Sequence, residues 1–253
     1  LNLVSCFRIL NNESTQLVKY KKYKDLLMIR ERIIRYRGKQ ITILFSIDRC
    51  THYAACLDGS PEVFDSTRRP WIMPDKASPD KIAEVIVTCP TGALHFERTD
   101  GGPSEMAPKV NVIKVEAHGP LYFHGDLTIQ DENGKLLLKD TRIAFCRCGL
   151  SKVKPFCDNT HARVGFEDAE EMRPQKIIES ETLPQGKVTI ILMKNGPIRL
   201  LGPVTIKNEK GEIIFRGTKT LLCRCGASKK MPFCDGSHRK IDFQSEVDCA
   251  KIV

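Results

Sequence analysis

Apolar and polar residues change places along this chain in short runs. VTIILM (188–193) and PIRLLGPVTI (197–206) are β-branched and too short for a stable helix, so they predict strands. Leu127 to Gln130 and Lys135 to Lys139 flank Asp131-Glu132-Asn133-Gly134, and Asn-Gly between two such runs predicts a hairpin. Asn208-Glu209-Lys210-Gly211 holds the same place in a second hairpin. Nearer the start, Ile41 to Ile47 predicts a strand. Pro79 to Val87 predicts a helix, with Pro at its start and Ile82, Val85 and Ile86 at helical spacing. That helix delivers Cys89 at its end, and Ala93 to Phe96 resumes as a strand.

The hairpins belong to a longer repeat. From Ile113 onward, 21 of 54 positions are identical at an offset of 77 residues. Gly119-Pro120 aligns with Gly196-Pro197, Gly125 with Gly202, Thr128-Ile129 with Thr205-Ile206, and Phe166 with Phe243. Each unit of about 55 to 60 residues holds few large apolar groups, so it gains from a metal and from a neighbour. Arg173 to Gly186, with Pro174 and Pro184, predicts a linker between them.

Each unit ends in a dense set of soft ligands: CRCGLSKVKPFCDNTH from Cys146 to His161 and CRCGASKKMPFCDGSH from Cys223 to His238. Both read C-x-C-x8-C-x3-H. The C-x-C pair supplies two thiols from one extended segment. A loop follows, punctuated by Pro155 or Pro232, and C-x3-H then sets a Cys and a His about one helical turn apart. Asp158 and Asp235 suit the start of that short helix. Three Cys and one His is also a zinc set, but structural zinc sites usually use C-x2-4-C, and a C-x-C pair is tight for one closed tetrahedral ion. A disulfide within C-x-C is strained.

This pattern resembles the CDGSH iron-sulfur proteins, also called NEET proteins, whose motif is C-x-C-x2-S-x3-P-x-C-D-G-S-H. The second copy matches at every defined position: Cys223, Cys225, Ser228, Pro232, Cys234, Asp235, Gly236, Ser237 and His238. The first has Asn159 for Gly and Thr160 for Ser, departures expected to be benign because Asn tolerates a left-handed backbone and Thr keeps the hydroxyl. The resemblance implies one 2Fe-2S cluster on Cys146, Cys148, Cys157 and His161 and another on Cys223, Cys225, Cys234 and His238. Because single-motif relatives form two-fold dimers, it also implies that the tandem folds as an internal pseudo-dimer.

A third ligand set lies upstream. Cys50-x5-Cys56 is followed by Cys89-Pro90-Thr91-Gly92. With Pro61-Glu62-Val63-Phe64-Asp65 and Arg69-Pro70-Trp71-Ile72-Met73-Pro74-Asp75, the segment from Tyr36 to Phe96 resembles a divergent single-cluster ferredoxin of the 4Fe-4S mono-cluster type. Cys50 and Cys56 fill the outer slots of the usual C-x2-C-x2-C triplet, and Tyr53 stands in the middle one. Three thiolates hold a 3Fe-4S cluster unaided, whereas a 4Fe-4S cluster needs a fourth ligand, for which His52 is the nearest candidate. The alternatives are three unrelated buried thiols and an imidazole with no metal role.

The resemblance and the elements together give an α+β chain. A ferredoxin-like domain (28–108) precedes two β-rich CDGSH domains (109–172 and 187–253), with 173–186 as the linker. Residues 1–27, with Met28 offering a later start, are set aside from the fold as a basic leader that is disordered or not translated.

Charge and cysteine usage narrow the function. The net charge of +9 is concentrated in residues 1–40, with ten Lys or Arg against three acids, while 41–110 has seven against ten. A basic leader suggests nucleic acid or an acidic membrane, but aromatic platforms and nucleic-acid motifs are missing, so neither is expected as a partner. Nine of the eleven cysteines fall in the three ligand sets, leaving Cys6 and Cys249 as free thiols. So many thiols point to a reducing, cytoplasmic setting. There is no apolar run of roughly 18 residues to span a bilayer, and no signal-peptide pattern. No nucleophile-base pair, nucleotide fingerprint or phosphate loop indicates an enzyme. His95, His118 and His124 read as ordinary strand or loop residues.

The expected function is electron transfer or cluster transfer by a monomer that meets a redox partner or an apo-acceptor protein. A structural module merely stapled by zinc or clusters is the other class.

Overall fold

A computed structural model describes residues 31–168, 177–178 and 182–246, together with the backbone of Thr15–Leu17. Cys6, Cys249, nearly all of the leader and much of the linker lie outside the described residues.

The N-terminal domain is an antiparallel sheet covered by a helix. β1 (Thr15–Leu17), β2 (Ile33–Arg37), β3 (Ile41–Ser46) and β4 (Leu94–Arg98) lie in that order. The described part of the leader is thus a strand, paired antiparallel with β2 from Thr15 against Tyr36 to Leu17 against Ile34. Between β3 and β4 come α1 (Ala55–Gly59) and α2 (Pro79–Val87). α2 starts where the chemistry favours it: Pro79 needs no donor there, and the Ser78 hydroxyl accepts from the Lys81 N–H at 3.3 Å. Its buried Ile82, Val85 and Ile86 pack with Ile41, Ile43, Leu94, Phe96, Phe64 and Ile72 into one core.

The two repeats share one sheet. The first contributes β5 (Val112–Val115), β6 (Leu121–Asp131), β7 (Leu136–Phe145) and α3 (Thr160–Arg163). The predicted linker contains β8 (Ile177–Ile178), parallel to β11. The second contributes β9 (Val188–Leu192), β10 (Ile198–Lys207), β11 (Ile213–Leu222) and a short 3-10 turn, Ser237–Arg239.

The hairpins close as predicted, on longer strands. Asp131 Oδ1 accepts from the N–H groups of Asn133 and Lys135, and Asn208 Oδ1 from that of Glu212, with Gly134 and Gly211 at positive φ.

Pairing between the repeats is reciprocal. The first half of β6 runs antiparallel to β5, and its second half runs parallel to β9. The first half of β10 runs antiparallel to β9, and its second half parallel to β5. Each long strand changes register at its middle, between His124 and Leu127 or between Leu201 and Val204, at Gly125 and at Gly202-Pro203. A bulge there bends each strand away from its own repeat and toward the other. Ile113, Phe123, Ile129, Phe145 and Phe156 of the first repeat and Ile190, Leu200, Ile206, Phe215 and Leu222 of the second therefore bury one another in a single core. Neither small unit has to supply a core alone.

Candidate metal centres

Each repeat presents its candidate ligands at one end of its hairpin. Cys146 and Cys223 follow directly on β7 and β11, and the later Cys is tied back to the same strand. The N–H of Cys157 donates to the Ala144 carbonyl at 3.0 Å, and that of Cys234 to Leu221 at 2.9 Å. Asp158 then accepts from the N–H groups of Lys152 and Thr160, and Asp235 from those of Lys229 and Ser237. These carboxylates brace the loop and the start of the helical turn that carries His161 or His238.

The donors converge in pairs. Cys146 Sγ and Cys148 Sγ are 3.7 Å apart, as are Cys223 Sγ and Cys225 Sγ. Cys157 Sγ lies 3.4 Å from His161 Nδ1, and Cys234 Sγ 3.5 Å from His238 Nδ1. Among the described residues, no three His, Cys, Asp or Glu side chains close on a single metal ion.

Burial and neighbouring charge prepare these groups as ligands. Within each C-x-C pair one sulfur donates to the other, so one is drawn toward thiolate while its partner is pushed up. Cys148 falls to about 7 by the bond from Cys146, and Cys223 to about 6 by the bond from Cys225. Which sulfur keeps the proton is a property of the pair. Burial pushes the Cys157 thiol up to about 12 and raises Cys234, penalties that metal binding removes. Burial lowers both His161, with help from the Arg147 charge, and His238, with help from Arg239. That favours the neutral imidazole a metal needs.

The two centres sit close together. Gly149 and Gly226, each directly after a C-x-C pair, have positive φ, and each faces the backbone of the other repeat's Cys225 or Cys148. Arg147 and Arg224, the middle residues of the two pairs, are buried. Arg147 donates to the Gly119 and Glu116 carbonyls and pairs with Asp168. Arg224 donates to the Gly196 and Met193 carbonyls.

At the N-terminal set, Cys50 precedes α1, Cys56 lies within it and Cys89 follows α2. Burial raises Cys50, and raises Cys56 to about 11. The Cys89 charge pushes both the same way, which places the three sulfurs within electrostatic reach of one another. Thr91 Oγ1 is 3.3 Å from Cys89 Sγ. His52 is exposed, with a left-handed backbone (φ 56°), and its main-chain N–H bonds to Cys50. Tyr53, in the middle slot of the triplet, is 56% exposed.

Several residues gain a meaning that sequence reasoning missed. Asn159 does more than tolerate its turn: its side chain donates to the Thr51 carbonyl at 2.6 Å. Arg142, buried on β7, donates to the carbonyls of Ile86, Cys89 and Leu94 in the N-terminal domain. His95, read as an ordinary strand residue, lies 2.8 Å from Glu105 and 3.4 Å from Asp140, and Asp140 also pairs with Arg49 at 2.5 Å. Comparing the repeats position by position offers the one sequence signal for these residues. Asp140, Arg142 and Asn159 have Gly217, Lys219 and Gly236 as counterparts.

Comparison with known proteins agrees with this organisation. The family described as divergent 4Fe-4S mono-cluster matches residues 36–99. The family described as iron-binding zinc finger CDGSH type matches twice, at 118–162 and 195–239. The uncharacterized protein YjdI of Escherichia coli strain K12 is 39% identical over 61 residues, which is 24% of this chain and 80% of that protein. YjdI of Escherichia coli O157:H7 matches to the same extent. No solved structure matches. The chain therefore carries two CDGSH-type domains in tandem behind a divergent 4Fe-4S mono-cluster domain.

Proposed function

We propose that this is a multi-cluster electron-transfer or cluster-transfer protein, not an enzyme. In this reading, Cys146, Cys148, Cys157 and His161 hold one 2Fe-2S cluster, and Cys223, Cys225, Cys234 and His238 another. Cys50, Cys56 and Cys89 hold a 3Fe-4S cluster, or a 4Fe-4S cluster if His52 or another group completes it.

The spacing of the donors carries this reading. Two sulfurs bound about 2.3 Å from one tetrahedral metal lie about 3.8 Å apart. Each repeat has two donor pairs near that separation, and among the described residues no trio of donors closes on one point. Two pairs suit two metal atoms, and a closed zinc site needs all four donors around one. When bound, the clusters supply one-electron chemistry. The protein's part is to bury the sulfurs, keep the imidazoles neutral and set buried arginines beside them. A neutral imidazole in place of a thiolate raises a cluster's potential, as in Rieske centres.

The reciprocal strand pairing supports an internal two-fold pair standing in for a two-chain dimer, which favours a monomer. Among the described residues no helix is long and apolar enough to cross a membrane. The free thiols suit the reducing cytoplasm. The partners would be a redox protein or an apo-acceptor.

Anaerobic purification with iron and sulfide quantitation and EPR of both redox states tests this. About seven or eight irons per chain, with two reduced 2Fe-2S signals, are expected. A colourless protein holding zinc would instead establish the structural, metal-stapled class.

A further inference from the structure

The two repeats are not interchangeable, and key differences between them fall at one boundary. Tyr122, Arg142 and Asn159 have Arg199, Lys219 and Gly236 as counterparts. All three first-repeat residues reach the N-terminal cysteine segments. Asn159 Nδ2 donates to the carbonyl of Thr51, the residue after Cys50, at 2.6 Å. The main-chain N–H of Asn159 donates to Cys157 Sγ at 3.5 Å. One residue thus joins a first-repeat thiol to the peptide beside Cys50 through two hydrogen bonds. Arg142 donates to the Cys89 carbonyl at 2.7 Å. The Tyr122 ring stands edge-on to Tyr53, with centroids 6.2 Å apart.

The second repeat has the ligand geometry without the connection. The Gly236 N–H still donates to Cys234 Sγ, at 3.4 Å, but glycine has no side chain to bond across the boundary, and a β-carbon there would meet nothing within 4 Å. Arg199 and Lys219 are exposed. Asn159 also holds a left-handed backbone (φ 63°) that glycine adopts freely and that costs an L-residue about 1 kcal/mol. Its bond to Thr51 offsets that cost.

We infer that Asn159, Arg142 and Tyr122 dock the N-terminal cysteine segments onto the first repeat, so that the N-terminal centre exchanges electrons with the first CDGSH centre and reaches the second only through it. This rests on the iron-sulfur reading above. Each step moves one electron. Once a low-potential one-electron donor has reduced the N-terminal centre, that centre is oxidised by one electron as the first CDGSH centre is reduced by one. No bond breaks and no proton is needed. The next step crosses the contact where Gly149 meets Cys225 and Gly226 meets Cys148.

Pulsed EPR on the full-length, cluster-loaded, dithionite-reduced protein tests the order. Spin coupling between the N-terminal centre and one CDGSH centre should survive Cys234→Ala and be lost in Cys157→Ala. The triple variant Tyr122→Arg/Arg142→Lys/Asn159→Gly, which writes the second repeat's residues into the first, should keep its iron and sulfide and lose the coupling. If the triple variant loses its clusters, Asn159→Gly alone decides: it should slow electron exchange between the two centres several-fold after flash photoreduction. Equal coupling to both CDGSH centres, full coupling in the triple variant, or an unchanged rate in Asn159→Gly overturns the inference. Iron and sulfide content separates the two failures. A wild-type protein without clusters fails the iron-sulfur reading itself, whereas a full complement without coupling fails only the order.

Discussion

Gly149 of the first repeat packs directly on the backbone of Cys225 in the second: a methyl group on Gly149 would lie 2.6 Å from the Cys225 carbonyl oxygen. Gly226 repeats the relationship against Cys148, more tightly still. The two ligand loops are therefore backed against each other, each filling the space that a side chain on the other would need.

Replacing either glycine by alanine should injure both centres. The left-handed backbone costs about 1 kcal/mol and the clash with unyielding main chain about 1–3 kcal/mol more. Gly149→Ala and Gly226→Ala should each lower the melting temperature and bleach visible absorbance from both repeats. Gly134→Ala and Gly211→Ala share the positive φ but meet nothing within 4 Å. They should cost only about 1 kcal/mol and leave the spectrum intact.

The ion-pair network at the domain boundary sets a pH window. Burial opposes a charged His95, but the Asp140 and Glu105 carboxylates outweigh it and raise its pKa from 6.5 to about 9. Burial likewise opposes the charged carboxylates, yet His95, with Arg142 beside Glu105 and Arg49 beside Asp140, holds both below their usual range, Glu105 at about 2. The raised histidine contributes stability that is complete below about 6.5 and lost as the pH rises through about 9. The carboxylates contribute above their ordinary range and fail in strong acid. Wild type should therefore exceed His95→Gln in stability at pH 6 by on the order of 2 kcal/mol, and the gap should close by pH 10. Chemical denaturation of both proteins across that range measures it.

Acid should release the CDGSH centres through their histidines. Protonating an imidazole removes a ligand, so visible absorbance should bleach as the pH falls through about 6. His161→Cys and His238→Cys should each move the bleaching of the altered centre to lower pH by about a unit or more. Equal lability in the His and Cys forms would count against imidazole ligation.

Arg224 should tune a centre of the opposite repeat. Arg147 is paired with Asp168, but the counterpart of Asp168 is Ser245. Burial lowers Arg224 to about 10, and the Cys146 sulfur across the repeat boundary draws it back toward the charged form. Removing that cation in Arg224→Met makes reduction of the first centre harder. A redox titration should find its potential lower by on the order of 50 mV, with the cluster retained.

Much of the chemistry is legible in the sequence because it is local. In each repeat the four candidate ligands fall within sixteen residues, and hairpin turns and strand ends hold them in the order the spacing implies. The helix at Pro79–Val87 is equally legible, since its cap, its proline and its three apolar positions all lie within it or directly beside it. The strands are longer than their apolar cores suggest. Pairing partners beyond the hairpin extend them, and the short β8 in the linker pairs with the distant β11.

The role of Asn159 is the clearest contrast. As one letter in a motif it is a harmless exchange for glycine, because backbone tolerance is all that a turn position asks. Its partner Thr51 is 108 residues away, and that contact follows from how Arg49 and Arg142 lock the N-terminal domain onto β7. The residue types and spacing of the candidate ligands are properties of contiguous chain, so they are read from the sequence alone. Which repeat faces the N-terminal cysteines is different: both repeats carry the same ligand pattern, and only packing between distant segments breaks their equivalence.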